Sequence, residues 1–359
     1  MRTDLRHINR RELLLASVSA GVTAVLPGCA GTSIGYERVI DACRNMPLST
    51  GDWRNRVVHL TDKVRQISFL KADPGEVWAD LFEHAEDSCA MKALVAAARE
   101  MITERMPRAA WFMGTTALYE AVYRRWGRFV AESDYIADML GIPRAEMAAL
   151  QRQYTLSHAF CSTTMVWDAD AKRMVQFRSL DWEMADAIAA ATRAYEFRTI
   201  RGDLAFRAAG IAGMVGLLTA VKTGFSVAIN FAPWHAAASF DTDPTFLLRQ
   251  LMQDPCIASY EQAYKAIDAW KPAAPVFICL CGERMNEACV FQFGLDENGR
   301  STNTIRVCTD GLLVHANHYV RTGQNSALDD AFVSHNARQV IPAADRKWDD
   351  HRIVATSVS

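Results

Sequence analysis

Cys161 is the residue of this chain whose type and surroundings best suit covalent chemistry. It begins the first strand of a predicted hairpin, 161–177, and Arg178 and Asp181 follow directly. These residue types fit a thiol nucleophile that is released by cleavage of the peptide bond between Phe160 and Cys161 and then uses its own α-amine as the general base. An unperturbed α-amine has a pKa of about 7.7–8.0, so it accepts a proton near neutral pH.

Each of these residues also has a purely structural interpretation. Cys161 can be a buried cysteine at the start of a strand, and Arg178 with Asp181 can form an exposed ion pair, which contributes little to stability. His318 and His335 suggest another catalytic arrangement, a Cys–His hydrolase. That arrangement needs a spatial proximity that a sequence does not reveal.

Residues 1–30 are typical of an export signal. Arg10 and Arg11 precede an apolar stretch that is too short to span a bilayer, and the arginine pair indicates the twin-arginine route. The segment Leu26-Pro27-Gly28-Cys29 resembles a lipoprotein box, in which Cys29 is lipidated, although proline is unusual there. Soluble cleavage near Ala30 is the alternative. We expect a bacterial protein that is periplasmic or anchored to the membrane of the cell envelope.

Composition excludes few classes of function. The chain has 359 residues, of which 50% are hydrophobic, and a formal net charge of -2. This length is sufficient for one large core or two small ones. Because there is no basic excess and no long basic run, nucleic acid binding has no support.

Nine cysteines are dispersed along the chain, and an odd number cannot all pair within it. Cys279, Cys281 and Cys289 form the one cluster, and Cys279 and Cys281 would share a face of a strand. The cluster has no histidine at zinc-finger spacing and lies in an apolar stretch. We therefore expect small buried hydrophobic residues and no metal site.

The first half of the chain has helical periodicity, and the second half is rich in predicted strands. Apolar residues recur at three- and four-residue spacing through much of 51–160. A helix is predicted at 183–198 and a strand at 210–221. Further predicted elements are strands at 224–230, 276–281, 288–293, 304–308 and 312–317 and helices at 247–252 and 259–269. Such a pattern predicts an α+β fold of antiparallel sheets with helices layered outside.

Several short segments of the chain occur in an order and at a spacing that are typical of one enzyme family. They are Ile136–Pro143 with Cys161–Thr164, Arg178–Asp181, Gly213–Lys222 and His315–Tyr319. Together they resemble the acid ceramidase and N-acylethanolamine acid amidase family of N-terminal-nucleophile cysteine hydrolases. This family is related to the choloylglycine hydrolase and penicillin acyltransferase groups.

The resemblance implies the αββα N-terminal-nucleophile sandwich of antiparallel sheets and self-cleavage between Phe160 and Cys161. Residues 31–160 would then be a helical α chain that stays bound to the catalytic β chain, 161–359, and covers its acyl-binding side. Cys161 would be the nucleophile. Asp181 would hold its α-amine, and Arg178 would steady the thiolate and the substrate carbonyl.

The same resemblance implies roles for three further residues. Asn317 matches a late asparagine whose side-chain amide is expected to donate to the developing oxyanion, with a turn-forming asparagine as the alternative. Arg338 is the candidate for a following arginine, with a solvated surface residue as the alternative. Asn230 is a candidate substrate or oxyanion residue, and Phe231 stands where the family often has glutamate.

The expected reaction is hydrolysis of the linear amide bond of an N-acyl amide. Thiol, α-amine and water suffice for it, so no metal or cofactor is expected. The alternatives are an acyltransferase of the same fold, which passes the acyl group to an amine, and a non-catalytic envelope lipoprotein that binds ligands. The expected partners are a small-molecule acyl amide, the two cleaved chains bound to each other, and a membrane if Cys29 is lipidated.

Overall fold

The computed structural model describes residues 64–68, 73–103, 107–121, 128–152, 154, 159–182, 185–232, 243–272, 274–295 and 301–317. The predicted export segment with Cys29 lies outside these residues, as do Arg338, His318 and His335.

The described residues form helices and strands in both halves of the chain. The strands are β1 Val64–Ser68, β2 Ala159–Asp168, β3 Arg173–Trp182, β4 Thr192–Arg198, β5 Leu204–Ile211, β6 Thr219–Lys222, β7 Phe225–Phe231, β8 Val276–Cys281, β9 Ala288–Leu295, β10 Ser301–Val307 and β11 Leu312–His315. The α-helices are α1 Ala85–Thr103, α2 Arg108–Ala121, α3 Arg128–Leu140, α4 Arg144–Gln151, α5 Ala185–Ala191, α6 Pro244–Gln253 and α7 Tyr260–Asp268, and a 3-10 helix spans Pro74–Glu83. None of the helices in this part of the chain is long and apolar enough to cross a membrane.

The strands form two sheets. The larger has the order β1-β4-β5-β6-β7-β8-β9-β10, and the smaller has the order β11-β2-β3. Among these strands, β1 runs parallel to β4, and the other neighbours pair antiparallel. The predicted α+β class with antiparallel sheets is confirmed, with a parallel pair at the edge of the larger sheet.

The two sheets pack face to face, and helices cover the other face of the larger sheet. Strand β8 shows this arrangement clearly, because all of its residues are buried. Phe277 and Cys279 pack with Met165 of the smaller sheet, whereas Ile278 and Leu280 belong to the core shared with the helices. A strand buried on both faces is a continuous apolar run, which explains why its predicted bounds were correct.

The structure corrects two predicted helical segments. The segment 51–160 is not helical throughout, because β1 lies within it and pairs with β4. The predicted helix 183–198 is helical at α5 but continues as strand β4. Strand β1 pairs with β4, which lies far away in sequence, and β4 pairs with β5 as well. At both places strand pairing overrides local helix periodicity.

The predicted strand 210–221 is correct only at its ends, which belong to β5 and β6, since a loop connects these two strands. The predicted pairing with the following strand is present between β6 and β7. Gln151 Nε2 donates to the Gly213 carbonyl, and the Val215 N–H donates to Gln151 Oε1, both at 2.7 Å. Gly213 has a φ of +82°, and a Cβ at Gly216 would lie 2.1 Å from the Thr245 hydroxyl. These glycines therefore permit a left-handed turn and a close approach that a regular strand does not provide.

Buried ion pairs join the segments on either side of the predicted cleavage point. Asp87 accepts from Arg193 at 2.6 Å, and Glu132 pairs with Arg249 at 3.0 Å. The two carboxylates and Arg249 are fully buried, and Arg193 is 2% exposed. Removing one partner of a buried pair leaves an uncompensated charge and costs about 3–5 kcal/mol. Each pair therefore requires the two segments to stay together.

Candidate active site

Cys161 lies in the smaller sheet and is 3% exposed. Its strand begins at Ala159, two residues earlier than predicted, and continues through Phe160 into Cys161. Because side chains alternate along a strand, Cys161, Thr163 and Met165 share one face. Met165 on that face packs against the larger sheet. The thiol is therefore directed into the space between the two sheets and is shielded from solvent.

The hairpin brings Arg178 to the same face as Cys161. The Asp168 carboxylate accepts hydrogen bonds from two backbone N–H groups of the turn, each at 2.9 Å. Such bonds stabilise turns and set the pairing of the strands that follow. In the resulting register Thr163 is opposite Arg178, one inward-facing position beyond Cys161.

Arg178 makes direct contact with the sulfur of Cys161. Its Nη2 donates to Sγ at 3.2 Å, and its Nε donates to the carbonyl oxygen of Ile229 at 3.0 Å. The second bond ties the guanidinium to β7 of the larger sheet. A guanidinium held beside a sulfur stabilises a thiolate relative to a thiol. This geometry is what the predicted role of Arg178 requires.

Asn317 contacts the backbone nitrogen of Cys161. The Cys161 N–H donates to Asn317 Oδ1 at 2.5 Å, and Asn317 Nδ2 donates to the carbonyl oxygen of Phe231 at 2.5 Å. One end of the amide thus faces a donor and the other faces an acceptor, which defines its orientation. In this uncut chain the Asn317 N–H is directed at the Phe231 carbonyl, and the Asn317 oxygen holds the nitrogen that cleavage would convert to the α-amine.

Asn230 lies between the two sheets. It is fully buried, accepts from the Thr163 hydroxyl at 2.8 Å and donates to the His315 carbonyl at 3.1 Å. Thr163 and His315 belong to the smaller sheet, whereas Asn230 belongs to the larger one. Its amide therefore joins the two sheets in the uncut chain, and the candidate role in binding substrate or an oxyanion stays a prediction.

The side chains of three predicted residues lie outside the described part of the chain. The backbone of Asp181 pairs with that of Phe160 across β2 and β3, but the side chains of both lie outside the described residues. Arg338 also lies outside them. The part of the site that the structure describes therefore consists of Cys161 with Arg178 and Asn317.

Tyr154 is a neighbour of the nucleophile that the sequence did not reveal. Its side chain is 2% exposed and packs edge-on against Phe231, with ring centroids 6.4 Å apart. Burial, and next the proximity of Cys161, hold the pKa of Tyr154 well above its ordinary value, although Arg178 acts in the opposite direction. In the sequence Tyr154 was one aromatic residue among several in a helical stretch, so it carried no distinguishing signal.

The three clustered cysteines are core residues. Cys279 and Cys281 are buried on the face toward the smaller sheet, which confirms their predicted common face, and Cys289 is buried in the other core. Burial raises the pKa of each of these thiols to about 12, so they stay protonated. Within the described ranges, no group of three or more histidine, cysteine, aspartate or glutamate residues is placed to hold a metal ion.

An apolar cavity lies where helices from both sides of the predicted cleavage point meet. It contains about 480 Å³ of empty space, part of which is open to solvent. Its walls come from α1, α4, α5 and residues 211–214, and include Met91, Met147 and Met214. The apolar lining suits a hydrocarbon chain.

Comparison with known proteins gives similarities in sequence and in structure. No family model matches the chain. Mouse acid ceramidase is 25% identical over 186 residues, which are 45% of this chain and 46% of the mouse protein, so the chain spans about half the length of that relative. Among solved structures, a Caenorhabditis elegans N-acylethanolamine-hydrolyzing acid amidase ortholog aligns with a TM-score of 0.40 and 20% identity over 46% of this chain and 74% of that protein. The similarity to the mouse protein confirms the predicted resemblance of this sequence to the acid ceramidase family.

Proposed function

We propose that this protein is a cysteine amidohydrolase that cleaves itself between Phe160 and Cys161 and then hydrolyses an N-acyl amide. The observation that carries the proposal is the pair of contacts at Cys161. Arg178 holds its sulfur and Asn317 holds its nitrogen, which are the two atoms of this residue that the chemistry uses. The similarity to mouse acid ceramidase supports an amide as the bond that is cleaved.

The proposed self-cleavage is an acyl shift followed by hydrolysis. The Cys161 sulfur attacks the carbonyl carbon of Phe160, a C–S bond forms, and the C–N bond breaks. The thiol proton ends on the departing nitrogen, which becomes the α-amine and is held by Asn317 in the uncut chain. Water then opens the thioester, which leaves a carboxylate on Phe160 and a free thiol on Cys161.

The proposed reaction on substrate repeats this chemistry with the new α-amine as base. The amine takes the thiol proton, the thiolate attacks the acyl carbon, and the protonated amine returns the proton to the leaving nitrogen. Water releases the acyl group as a carboxylic acid. Arg178 stabilises the thiolate before the attack and when the thioester opens.

An apolar acyl chain is the substrate portion that the surroundings support. The cavity between α1 and α4 has an apolar lining. Phe231 occupies the position at which the family often has glutamate, and its buried ring packs against Tyr154. We therefore propose that specificity depends mainly on the hydrocarbon part of the substrate.

The test is intact mass of the purified protein, wild type beside Cys161→Ala, incubated from neutral to mildly acidic pH. We expect two fragments from the wild type, with Cys161 as a new N-terminus, and an intact chain from the variant. Cys256→Ala is the matched control because Cys256 is an exposed free cysteine. An intact wild-type chain at every pH contradicts the proposal and favours a Cys–His enzyme or a binding protein.

Substrate hydrolysis is tested separately with N-acyl amides of graded chain length. Release of free acid by the cleaved wild type, and none by Cys161→Ala, is the expected result. Addition of a second amine distinguishes hydrolysis from acyl transfer, since both reactions pass through the same acyl-enzyme. An N-acylated acceptor as the main product would show that the protein is an acyltransferase and not a hydrolase.

A further inference from the structure

We infer that Gln151 keeps the proposed acyl-binding cavity apolar and thereby determines how strongly the protein prefers long acyl chains. The inference rests on the proposed function, because it takes an N-acyl amide as the substrate. It assigns a specificity-determining role to a residue of the segment that precedes the cleavage point.

Both ends of the Gln151 side-chain amide are bound to the loop between β5 and β6. Its Nε2 donates to the Gly213 carbonyl and its Oε1 accepts from the Val215 N–H, each at 2.7 Å. Nε2 also donates to Met147 Sδ at 3.3 Å, one turn earlier in α4. Gln151 is 1% exposed, so these bonds form away from solvent, where a polar group without a partner is strongly unfavourable.

The same loop is also fastened to the catalytic segment. Arg249 Nη1 donates to the Val215 carbonyl at 2.7 Å, and the Leu218 carbonyl accepts from the Ile229 N–H at 2.9 Å. The carbonyl of Ile229 in turn accepts from Arg178. The loop that lines the cavity is therefore bonded to the strand that orients Arg178.

The position of this loop determines the width of the cavity. A Cβ at Gly213 would lie 2.9 Å from Met91 Sδ, so the loop packs tightly against α1 on one side. On the other side Gln151 binds it to the end of α4. Because both helices and the loop contribute to the walls, the Gln151 amide holds two walls of the cavity in a fixed relation.

The amide bonds of Gln151 also explain why a cavity beside a backbone loop has an apolar surface. Among the described residues that line the cavity, Gln151 has the one polar side chain, and the others are glycine or apolar. Its oxygen and both amide hydrogens have partners, and one of these partners is the Gly213 carbonyl of the same wall. A hydrocarbon chain in the cavity therefore displaces no hydrogen bond of Gln151, and each buried methylene can raise affinity about fourfold.

The contact between Gln151 and the loop crosses the proposed cleavage point. Gln151 precedes Cys161, whereas Gly213 and Val215 follow it. After self-cleavage these hydrogen bonds would join the two products. The preference for long acyl chains would therefore depend on both of them.

The experiment compares Gln151→Met with Gln292→Met, each in the full chain with Cys161→Ala, so that neither cleavage nor turnover occurs. Methionine has nearly the length and volume of glutamine and removes the hydrogen bonds. Gln292 is a matched control, since it is also 1% exposed and its amide donates to the Thr304 hydroxyl at 3.3 Å, but it lies outside the cavity lining. Isothermal titration calorimetry measures the affinity for N-decanoylglycinamide and N-acetylglycinamide, and urea unfolding establishes that each variant is folded.

We expect the decanoyl compound to bind more tightly than the acetyl compound. Gln151→Met should weaken decanoyl binding about tenfold, because the Gly213 carbonyl and the Val215 N–H then bind water at the cavity wall. Acetyl binding should change less than about twofold, since one methyl group buries little apolar surface. Gln292→Met should leave both affinities unchanged.

Two results overturn the inference. Unchanged decanoyl binding by Gln151→Met would show that only the bulk of this side chain matters. An equal loss for the decanoyl and acetyl compounds would indicate a general loss of packing, which a purely structural role predicts.

Met214→Trp provides a second variant if Gln151→Met does not fold. Met214 is half-buried and lines the cavity, so a larger ring fills part of the space and leaves the hydrogen bonds of Gln151 in place. Loss of decanoyl binding with retained acetyl binding supports this cavity as the hydrocarbon site. Unchanged decanoyl binding contradicts it.

The proposed function and this inference fail in different ways. A wild type that stays uncut, while Gln151→Met shows the selective loss of decanoyl binding, contradicts the proposed function alone. Self-cleavage and acid release by the wild type, together with unchanged decanoyl binding by Gln151→Met, contradict the inference alone.

Discussion

The side-chain oxygen of Asn317 accepts a hydrogen bond at 2.5 Å from the backbone nitrogen of Cys161, across 156 positions of sequence. This nitrogen belongs to the bond that the proposed self-cleavage breaks. The relationship therefore gives Asn317 a task in the uncut chain, which is to hold the leaving nitrogen. It differs from the donor role toward an oxyanion that was predicted from the resemblance.

Substitution of Asn317 separates these two tasks. Asn317→Asp keeps an oxygen acceptor for Cys161 but removes the amide donor, whereas Asn317→Ala removes both. We expect Asn317→Ala to slow self-cleavage about tenfold, from the loss of one hydrogen bond, and Asn317→Asp to retain most of the rate. The time course of cleavage, measured by intact mass, gives both values. Equal loss in the two variants would restore the oxyanion role, for which a loss of about 10²–10³ in rate is typical.

The rate of amide hydrolysis should depend on the planar shape of the Arg178 side chain as well as on its charge. Its guanidinium bonds Cys161 and Ile229 at once, and a lysine ammonium on a flexible stem does not reproduce that fork. We expect Arg178→Ala to lower amide hydrolysis about 10²-fold and Arg178→Lys to fall between it and wild type.

The measurement for this prediction is the initial rate of acid release by cleaved protein. Arg207→Lys is the control, since Arg207 is an exposed arginine in an ordinary ion pair with Glu196. A rate for Arg178→Lys that equals wild type would show that charge alone is sufficient at this position.

Asn230→Ala should reduce stability and leave the chemistry of folded molecules unchanged. The substitution removes a fully buried amide and leaves the Thr163 hydroxyl and the His315 carbonyl without this partner. Such losses cost about 1–3 kcal/mol for each unsatisfied group. Urea unfolding measures the change in the free energy of unfolding. A stable variant that has lost activity would support the predicted role of Asn230 in binding substrate or an oxyanion.

The buried thiols should make the protein less stable at alkaline pH. Burial raises the pKa of Cys279, Cys281 and Cys289 to about 12, whereas an unfolded cysteine has a pKa of about 8.5. Between these values the unfolded state has lost protons that the folded state keeps, so the free energy of unfolding falls as pH rises. Each thiol contributes up to about 1.4 kcal/mol per pH unit.

Urea midpoints measured from pH 7 to pH 10 test this pH dependence. The urea midpoint of the wild type should stay constant up to about pH 8 and then decrease. A variant with all three cysteines replaced by alanine should decline less steeply, although it starts from a lower stability because of the cavities. Parallel slopes would show that the three thiols are not the cause.

Buried ion pairs should hold the two cleavage products together. Glu132→Gln removes the charge that faces Arg249, both fully buried, and should cost about 3–5 kcal/mol. Glu261→Gln is the control because its ion pair with Arg284 is largely exposed and worth about 0–1 kcal/mol. Gel filtration of cleaved protein in increasing urea should show the fragments separating earlier for Glu132→Gln only. Fragments that separate without denaturant in the wild type would contradict this prediction.

The sequence predicted those elements of the fold whose own residues carry a clear hydrophobic pattern. Strand β8 was predicted at its correct bounds because its apolar run reflects burial on both faces. Strand β1 was missed because it depends on pairing with the distant β4 and has only five residues. Strand β4 was missed because its pairing with β1 and β5 overrides the helical pattern that precedes it. A short strand carries too little periodicity to outweigh its helical surroundings.

The sequence by itself determined the chemical types at the site. It singled out Cys161 as a candidate nucleophile with Arg178 close behind it, and the resemblance to a known family added Asn317. The tertiary structure decided where each polar atom points. The Asn317 orientation depends on the Phe231 carbonyl, the inter-sheet position of Asn230 depends on Thr163 and His315, and the place of Tyr154 depends on a ring in β7. Hydrogen bonds require distances of about 3 Å, and two sheets that pack together bring such atoms within reach regardless of their separation in sequence.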